Sequence, residues 1–467
     1  FSEFLTGFFA IIIYERIYFM QIQLSEHFTF RKLLRFVLPS IIMMIFTSIY
    51  SVVDGLFVSN FVGKTALAAI NLTLPIIMGL SALGFMIGTG GSAIVARMLG
   101  EKKEDKANAY FSMLIYATML GGIFLSVLGA ILIPSICSLL GAKGELLSDC
   151  VLYARLSFIS MPAFMLQNVF QSFFVTAEKP HLGLYVIIAA GMTNMVLDFL
   201  FVVGLQMGVM GAALATILSQ IISAVLVMGS LMRTRDIYRL HLRKISIDWI
   251  MLKRIIRIGF PAGVQSILYS VSNVIIQSAV NSLGTNNVAA WAAYGKVDGL
   301  FWMMINALGI AATTFVGQNY GAKKMDRVHR GVRTSMIMAF LMTGLMVVFM
   351  WFIGDTLISL FTTDTAVREI CHGLIHFLVP TFFTYISIEI LSGALRGVGD
   401  AWIPMFITGI GICGVRIVWM TAVLPHFHSL KGAAFCYPLS WVITTIAYFI
   451  YYLFFSQLSK RKELRSI

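Results

Sequence analysis

Twelve runs of mostly apolar residues, each about 20 residues or longer, recur along the chain. A helix of that length crosses the hydrocarbon core of a bilayer. Only 12% of the residues are charged, against about 25% in soluble domains, and the mean hydropathy is +0.88. The sequence therefore predicts an all-α integral membrane protein whose twelve transmembrane helices cover 35–60, 67–98, 107–135, 146–174, 181–205, 210–232, 250–281, 287–318, 328–353, 367–395, 401–425 and 431–457.

Lysine and arginine are distributed unequally between the two sides of the predicted membrane. The side that holds Arg31 carries 26 of them and the opposite side carries 5. By the positive-inside rule, both termini are predicted in the cytoplasm of a bacterial-type inner membrane. The formal net charge of +13 is then explained by short loops that face anionic lipid head groups, and no nucleic-acid partner is predicted.

The five cysteines show no C-x-x-C spacing and lie mostly in apolar surroundings. They are predicted to be small buried residues rather than a metal or redox site. Cys137 and Cys150 flank one outer loop, but no disulfide is predicted. Residues 1–30 are interpreted as an N-terminal extension. Its apolar stretch, 8–14, is too short to cross a membrane and is either an interfacial helix or part of a segment upstream of a start at Met20.

The two halves of the chain repeat one another. LLRFVLP at 33–39 matches IIRIGFP at 255–261, and Gly88, Gly100 and Lys102 recur at Gly309, Gly321 and Lys323. The predicted units are an N-terminal six-helix bundle (31–232), a basic linker (233–249), a C-terminal six-helix bundle (250–457) and a basic tail (458–467). Because six is an even number, the bundles enter the membrane in the same sense and are related by a pseudo-two-fold axis along its normal. Two bundles around a shared cleft suit alternating access.

An aspartate lies deep in the first predicted helix. Thr47, Tyr50, Ser51 and Asp54 share one helix face, and Pro39 provides a bending point near the cytoplasmic start. A charge at this depth costs on the order of 3 kcal/mol or more unless it is paired or hydrated, so Asp54 is a candidate functional residue.

The fifth and sixth predicted helices supply further oxygen ligands at the same depth. Asn194 and Asp198 share a face, and Asp54, Asp198 and Thr216 all lie roughly 10 Å below the outer boundary. Two carboxylates held close together need a proton or a cation between them. The set Asp54, Asn194, Asp198 and Thr216 is therefore the predicted coupling site for H⁺ or Na⁺, with buried acids that only fix helix packing as the alternative.

Other embedded polar residues are candidates for a substrate cavity. Lys296 lies two residues before Asp298 and is expected on another helix side, and Asp298 either attracts a cationic substrate or pairs with Arg416, which stands where Asp198 falls in the repeat. Glu389 is expected to pair with Arg396. The glycine-rich stretch 88–92 is interpreted as close helix packing rather than a phosphate loop. The predicted cavity residues are Thr47, Tyr50, Ser51, Asn168, Gln171, Gln220, Gln265, Tyr269, Asn273 and Asp298, with Gln277 on the same stripe.

Taken together, these features resemble the multidrug and toxic compound extrusion (MATE) transporters, and more narrowly their DinF-like branch. The resemblance covers nearly all of residues 30–457. Besides the repeat, it rests on Pro39, Asp54, Gly88-Thr89-Gly90-Gly91-Ser92, Ala96-Arg97, Gly100, Asn194, Asp198, Thr216 and Leu395-Arg396-Gly397-x-Gly399-Asp400.

The resemblance implies a V-shaped pair of bundles that export cationic or amphipathic compounds in exchange for inward sodium ions or protons. It also implies roles for three groups: a cation site at Asp54, Asn194, Asp198 and Thr216, a drug cavity at Tyr50, Asn168 and Gln171, and a bend at Pro39. Two departures from the family pattern are present. Val175-Thr176 stand where arginine is common, and the acid that other branches carry in helix seven is missing, which places coupling in the first bundle.

Two other functions are weighed against this one. A flippase for a lipid-linked precursor, from the same superfamily, usually has fourteen helices and a basic cleft. A membrane enzyme or sensor needs a nucleophile with its base, or a large extramembrane domain, and the sequence offers neither. The prediction is a monomeric antiporter for small molecules, without catalytic residues or a cofactor apart from the coupling ion.

Overall fold

The computed structural model describes residues 30–57, 61–62, 64–139, 142–177, 179–233, 248–359, 361–362 and 364–459. Every regular element in these ranges is helical. The extension up to residue 29, the linker residues 234–247 and the tail from residue 460 lie outside the described residues.

In its described residues, the first half of the chain forms seven helices, with a π-helical turn after the sixth. These elements are α1 (Phe30–Phe57), α2 (Lys64–Gly100), α3 (Glu104–Leu139), α4 (Gly144–Ile159), α5 (Met161–Thr176), α6 (Pro180–Asp198), the π turn Phe199–Gly204, and α7 (Gly208–Arg233).

The second half follows the same order with more interruptions. Its elements are α8 (Trp249–Asn281), α9 (Thr285–Gly321), α10 (Met325–Ser359), α11 (Thr365–Leu378), the 3-10 segment Val379–Thr384, α12 (Ile386–Gly397), α13 (Trp402–Thr408), the π turn Gly409–Gly414, α14 (Val415–Val418), the π turn Trp419–Val423, the 3-10 turn Leu424–His426, α15 (Leu430–Ala434), α16 (Cys436–Ile450) and the π turn Tyr451–Phe455.

A helix occupies each of the twelve predicted segments, so the all-α membrane fold is confirmed. Within the described residues, nine helices are long and apolar enough to cross a membrane, or ten when α4 and α5 count as one broken span. The two remaining segments are α1 and α8. In α8 the polar stripe that begins at Gln265 lowers the mean hydropathy of the span.

The internal repeat is confirmed in the backbone. The helices α2 and α9 both have 37 residues, and each residue of α9 lies 221 positions after its counterpart in α2. The Cys150 thiol points to the carbonyl of Ala69, and the Cys371 thiol points to that of Ala290. The turns after α2 and α9 also match, because Lys102 and Lys323 adopt left-handed φ angles of 58° and 56°.

The predicted single span 146–174 is broken. The helices α4 and α5 meet at an angle of 59° around Ser160. Pro162 lies in the first turn of α5, where its missing N–H and fixed φ suit a helix start and not a helix interior.

The two bundles pack against each other through glycines near the ends that carry the basic loops. A Cβ on Gly90 of α2 would meet the backbone of Gly259 in α8, and a Cβ on Gly100 would meet the backbone of Gln318 in α9. The stretch 88–92 therefore serves close helix packing, as predicted. Arg254 donates across the same boundary to the hydroxyl of Tyr110 at 3.3 Å.

Aromatic stacking fills the interior of each bundle, and apolar side chains cover the outside. Phe111 stacks on Phe173 at 4.2 Å in the first bundle, and Phe301 stacks on Phe382 at 4.0 Å in the second. On the exterior, Phe352 is 79% exposed. A large apolar side chain this exposed marks a surface that lipid covers. All five cysteines are buried and free, as predicted.

Candidate functional site: two cavities and a buried carboxyl

Two cavities hold most of the predicted substrate residues. A small cavity of about 100 Å³ lies inside the first bundle, and Thr47, Asn168 and Gln171 line it. A larger cavity of about 540 Å³ lies mainly in the second bundle, with part of its wall from α2 and α5. The predicted cavity residues are thus divided between two spaces and do not share one.

The polar stripe of α8 faces the larger cavity. Gln265, Tyr269, Asn273 and Gln277 repeat every four residues, and all four line this space. The amide of Gln265 donates to Thr408 at 3.1 Å, which fixes the side chain against α13. Asn273 and Gln277 lie farther toward the C-terminal end of α8 and present amide groups to the same wall.

Asp298 of α9 lines the larger cavity and has two neutral donors. The indole N–H of Trp302 donates to its Oδ2 at 2.6 Å, and the hydroxyl of Tyr294 donates to its Oδ1 at 3.3 Å. Both donors lie four residues from Asp298, one on each side. Lys296 is exposed on another side of the helix, as predicted. Asp298 therefore keeps its carboxyl at the cavity without a basic partner within 4.0 Å in the described part of the chain.

Arg416 lies in the same cavity wall but does not pair with Asp298. It is 2% exposed, its Nε donates to Ser440 at 3.3 Å, and its guanidinium carbon lies 4.0 Å from the ring centroid of Tyr437. Among the described residues, no carboxylate comes within the 4.0 Å of an ion pair with it. Of the two predicted roles for Asp298, pairing with Arg416 is therefore absent in this conformation.

Glu389 and Arg396 form the predicted pair at the cavity wall, with Arg396 Nη2 3.4 Å from Glu389 Oε1. The hydroxyl of Tyr385 donates to the other oxygen of Glu389 at 3.2 Å, and the Tyr269 hydroxyl lies 3.4 Å from that of Tyr385. These contacts join α8 to α12, and the charges of Glu389 and Arg396 neutralise each other within this network.

Aromatic rings form much of the wall between these charged groups. Trp302 lies edge-on to Tyr385 at 4.6 Å, and Trp441 lies edge-on to Tyr385 and Tyr437 at 5.7 and 5.6 Å. Sequence reasoning missed this wall. The four-residue spacing of Tyr294, Asp298 and Trp302 was a usable signal, whereas Tyr437 and Trp441 come from α16 and no local pattern connects them to α9.

The predicted ion site is partly described. Asn194 and Asp198 of α6 are 2% and 0% exposed, and α6 packs along α1, the helix that carries Asp54. Thr216 lies on α7, which packs against α6 and the following π turn, and is half-buried. The side chains of Tyr50, Ser51 and Asp54 lie outside the described residues. In the part that is described, no three His, Cys, Asp or Glu side chains come together as a metal site.

Two further predicted residues have specific surroundings. Gln220 lines neither cavity; its Oε1 accepts a hydrogen bond from Ser160 at 2.7 Å, which ties α7 to the break between α4 and α5. Pro39 lies inside α1, which continues through it from Phe30 to Phe57. Its role as a bending point stays a prediction.

Comparison with known proteins gives consistent matches over most of the chain. A family model described as MatE matches residues 39–200 and 261–420, together more than half of the sequence. The chain is 25% identical over 439 residues to the probable multidrug resistance protein YoeA of Bacillus subtilis, a match that covers 92% of this chain and 95% of that protein. It is also 25% identical to the multidrug export protein MepA of Staphylococcus saprophyticus, with 83% and 87% covered.

The fold has solved counterparts as well. One is described as the outward-facing conformation of a multidrug resistance MATE family transporter of the MOP superfamily. It superimposes with a TM-score of 0.83 at 23% identity, covering 90% of this chain and 94% of that one. These matches define the family and the fold; they do not distinguish the predicted DinF-like branch from others.

Proposed function

The chain belongs to the MatE family, and from this membership and the geometry above we propose that it is a secondary active antiporter, which exports cationic or amphipathic organic compounds in exchange for inward H⁺ or Na⁺. The names of YoeA and MepA, multidrug resistance and multidrug export proteins, support the substrate class. A cavity of about 540 Å³ with an aromatic wall has the size and lining of a drug-sized site.

The burial of Asp198 carries the ion-coupling part of the proposal. This carboxyl is 0% exposed inside a membrane-spanning bundle, one helical turn after the buried Asn194. A carboxyl in such surroundings needs a proton or a cation to offset the cost of its charge. Because α6 packs along α1, Asp54 belongs to a helix that can complete the site with a second carboxyl.

The contacts between the two bundles indicate on which side of the membrane the protein is closed. Thr176 and Thr314 meet at 3.3 Å across the boundary, and Gly90 and Gly100 pack on the opposite bundle at the same end. This end carries the basic loops that the positive-inside rule assigns to the cytoplasm. We infer from this packing that the conformation is closed toward the cytoplasm.

In the proposed cycle, an ion from outside binds at Asp54 and Asp198, and its binding bends α1 at Pro39. The bend collapses the cavity space and expels the substrate; Thr47 of α1 lines the part of this space that lies in the first bundle. A cation that moves inward gains about 2.3 kcal/mol per 100 mV, so one ion supports a roughly tens-fold accumulation of a neutral substrate outside. For a singly charged cationic substrate, a one-for-one exchange moves no net charge and the concentration gradient of the ion supplies the free energy.

The test is transport by purified protein in proteoliposomes with separately imposed sodium and proton gradients. Ethidium movement is expected under one of the two gradients and is expected to be lost in Asp54→Asn and in Asp198→Asn. Asp105→Asn, at an exposed acid at the start of α3, is the matched control and is expected to transport normally. Full ethidium transport by Asp54→Asn would refute the assignment of the coupling site.

A further inference from the structure

Three bases and a tryptophan lie on one face of α8 near its start, on the side that the positive-inside rule assigns to the cytoplasm. Lys253, Arg254 and Arg257 fall within about one helical turn of each other and are all exposed, and Trp249, one turn earlier, is 76% exposed. The opposite side of this turn packs into the first bundle, where Ile255 is buried. In the part of the chain that the structure describes, no carboxylate comes within 4.0 Å of the three bases. Their charges therefore face the membrane surface.

The same face of α8 becomes apolar farther along the helix. Phe260 follows the last of the three bases by three residues, and Ile267, Val271 and Val274 continue the stripe at helical spacing. All four side chains are exposed. Bases at the membrane surface followed by exposed apolar side chains match the order of head group and acyl chains in a phospholipid of the cytoplasmic leaflet. A tryptophan at the start of such a stripe is typical of the membrane interface.

The first bundle adds a base at the edge of this surface. Arg254 Nη1 donates to the hydroxyl of Tyr110 in α3 at 3.3 Å, and Lys106 lies one turn before Tyr110 on the same helix face and is exposed. Three acids are close in sequence: those at 104–105 are exposed in the first turn of α3, and the carboxyl of Asp248 accepts the first amide groups of α8. The four bases outnumber these acids, and they come from both sides of the boundary between the bundles.

We propose that cardiolipin of the cytoplasmic leaflet binds at this junction surface and that the bound lipid stabilises the closed cytoplasmic side. The junction surface is formed by Lys106, Lys253, Arg254 and Arg257. Cardiolipin carries two phosphates on one head group, so a single molecule can contact the bases of both bundles at once, and basic pockets between transmembrane helices suit its head group. A lipid that is held by both bundles loses contacts when they part. Its affinity is then higher for the closed conformation, and this difference shifts the population toward that conformation.

The first measurement is lipid binding by native mass spectrometry, with the purified full-length protein titrated in a neutral detergent with cardiolipin or with phosphatidylglycerol. The wild type is expected to bind cardiolipin about five-fold more tightly, because the second phosphate reaches a further base and each base contributes about that factor. Arg254→Gln/Arg257→Gln is expected to weaken cardiolipin about 20-fold, whereas Arg254→Lys/Arg257→Lys keeps both charges and is expected to weaken it less than about three-fold. Lys324→Gln/Arg330→Gln is the matched control, since it removes two exposed bases from the start of α10 on the same side of the membrane.

The second measurement is the accessibility of the bundle boundary in lipid nanodiscs with and without cardiolipin. Thr176 is buried against Thr314 at this boundary, so a Thr176→Cys thiol reacts with a maleimide when the cytoplasmic side opens. Cardiolipin is expected to slow this labelling about five-fold, because parting of the bundles takes Lys106 away from the lipid and one base is worth about that factor. In Arg254→Gln/Arg257→Gln, the labelling rate is expected to be the same with and without cardiolipin. Neither measurement uses a gradient or a substrate, so failure of the proposed antiport does not affect the result.

Equal affinities of the wild type for cardiolipin and phosphatidylglycerol would overturn the proposal, and this result needs no variant. An equal loss of cardiolipin binding in Lys324→Gln/Arg330→Gln would overturn the junction surface, because the lipid would then respond to the total charge of the cytoplasmic side. Normal binding with a labelling rate that cardiolipin does not change would overturn the stabilisation of the closed conformation. Selective loss in Arg254→Gln/Arg257→Gln, together with slower labelling of the wild type, would support both parts.

Discussion

Replacing Gly90 with alanine tests whether backbone contact between the bundles holds the cytoplasmic side closed. Gly90 lies on α2, where an added Cβ would meet the carbonyl oxygen of Ile255 first and would be 2.7 Å from the amide nitrogen of Gly259 and 2.9 Å from its Cα. All three atoms are backbone, so no side chain can rotate away. Ordinary contact begins at 3.4 Å, and the helices must separate by more than about 0.7 Å (3.4 minus 2.7) to accept the methyl group, because the Ile255 oxygen lies closer still.

The energetic effect follows from this overlap. An extra methyl group in a close-packed interface costs typically 1–3 kcal/mol. The cost applies only to the state in which α2 and α8 are in contact, because the methyl group has free space once the bundles part. A cost of about 2 kcal/mol changes the ratio of closed to open cytoplasmic sides on the order of 30-fold.

Cysteine labelling at the interface measures that ratio. Thr176 is 0% exposed at the boundary with Thr314, so a Thr176→Cys thiol reacts only when the cytoplasmic side opens. The measurement uses inside-out vesicles, a membrane-impermeant maleimide and a background in which the five native cysteines are replaced. Gly90→Ala is expected to raise the labelling rate on the order of 30-fold and to reduce efflux.

Gly79→Ala is the matched control. Gly79 lies on the same helix, and a Cβ there meets nothing within 4 Å. Both substitutions gain the same helix propensity, about 1 kcal/mol, so the difference between them isolates the contact between bundles. If Gly90→Ala labels at the rate of Gly79→Ala, the glycine contacts do not determine the closed state.

Three further outcomes are expected, each with its own measurement. Lys323→Gly removes the strain of a left-handed φ of 56° and is expected to stabilise the protein by about 0.5–1 kcal/mol in thermal unfolding, whereas Lys324→Gly loses the same charge without that gain. Arg396→Gln leaves Glu389 without its cation and is expected to lower the free energy of unfolding by about 3 kcal/mol. The double variant Glu389→Gln/Arg396→Gln is expected to recover part of this loss, and no recovery would contradict a role of the two residues as an ion pair. The hydrogen bond from Lys103, 2.6 Å away, lowers the pKa of the Glu101 carboxyl below its ordinary 4.5, and Arg97 adds to the effect. The small contribution of this ion pair to stability is therefore present above pH 4.5 and is lost as the pH falls through the lowered pKa. The difference in Tm between wild type and Lys103→Ala should therefore shrink below pH 4.5, and a difference unchanged at pH 3 would contradict this.

The transmembrane fold followed from the sequence because its determinants are local. Twenty apolar residues have few structures available in a bilayer other than a helix, and the recurrence of Gly88, Gly100 and Lys102 at one offset of 221 residues indicated the repeat. The break at Ser160 was missed, since Pro162 alone does not distinguish a kinked helix from two helices. The π turns were missed because an added residue in a helical turn leaves an apolar run looking the same.

The candidate site followed from the sequence only where its residues share a helix. Gln265, Tyr269 and Asn273 were placed on one face by their four-residue spacing, and Glu389 was paired with Arg396 from nearby positions on α12. The surroundings of Arg416 were beyond this reasoning. Ser440 and Tyr437 approach it from α16, and the sequence also did not show that the predicted cavity residues divide between two cavities.

The different residues and cavity sizes of the two bundles give a physical reason for separate binding sites for the ion and the substrate. Asp198 is fully buried in the first bundle, and the cavity of only about 100 Å³ in that bundle has less room than a drug-sized site needs. The space of about 540 Å³ lies where the repeat carries Arg416, and a cation-coupling site is disfavoured next to a fixed guanidinium. If one bundle held both sites, the coupling ion and a cationic substrate would compete directly for one carboxyl. With the sites in different bundles, communication passes through the contacts between the bundles. The α2–α8 contact at Gly90 and Gly259 is one of them, so a substitution there should change coupling efficiency even though neither residue lies in a proposed binding site.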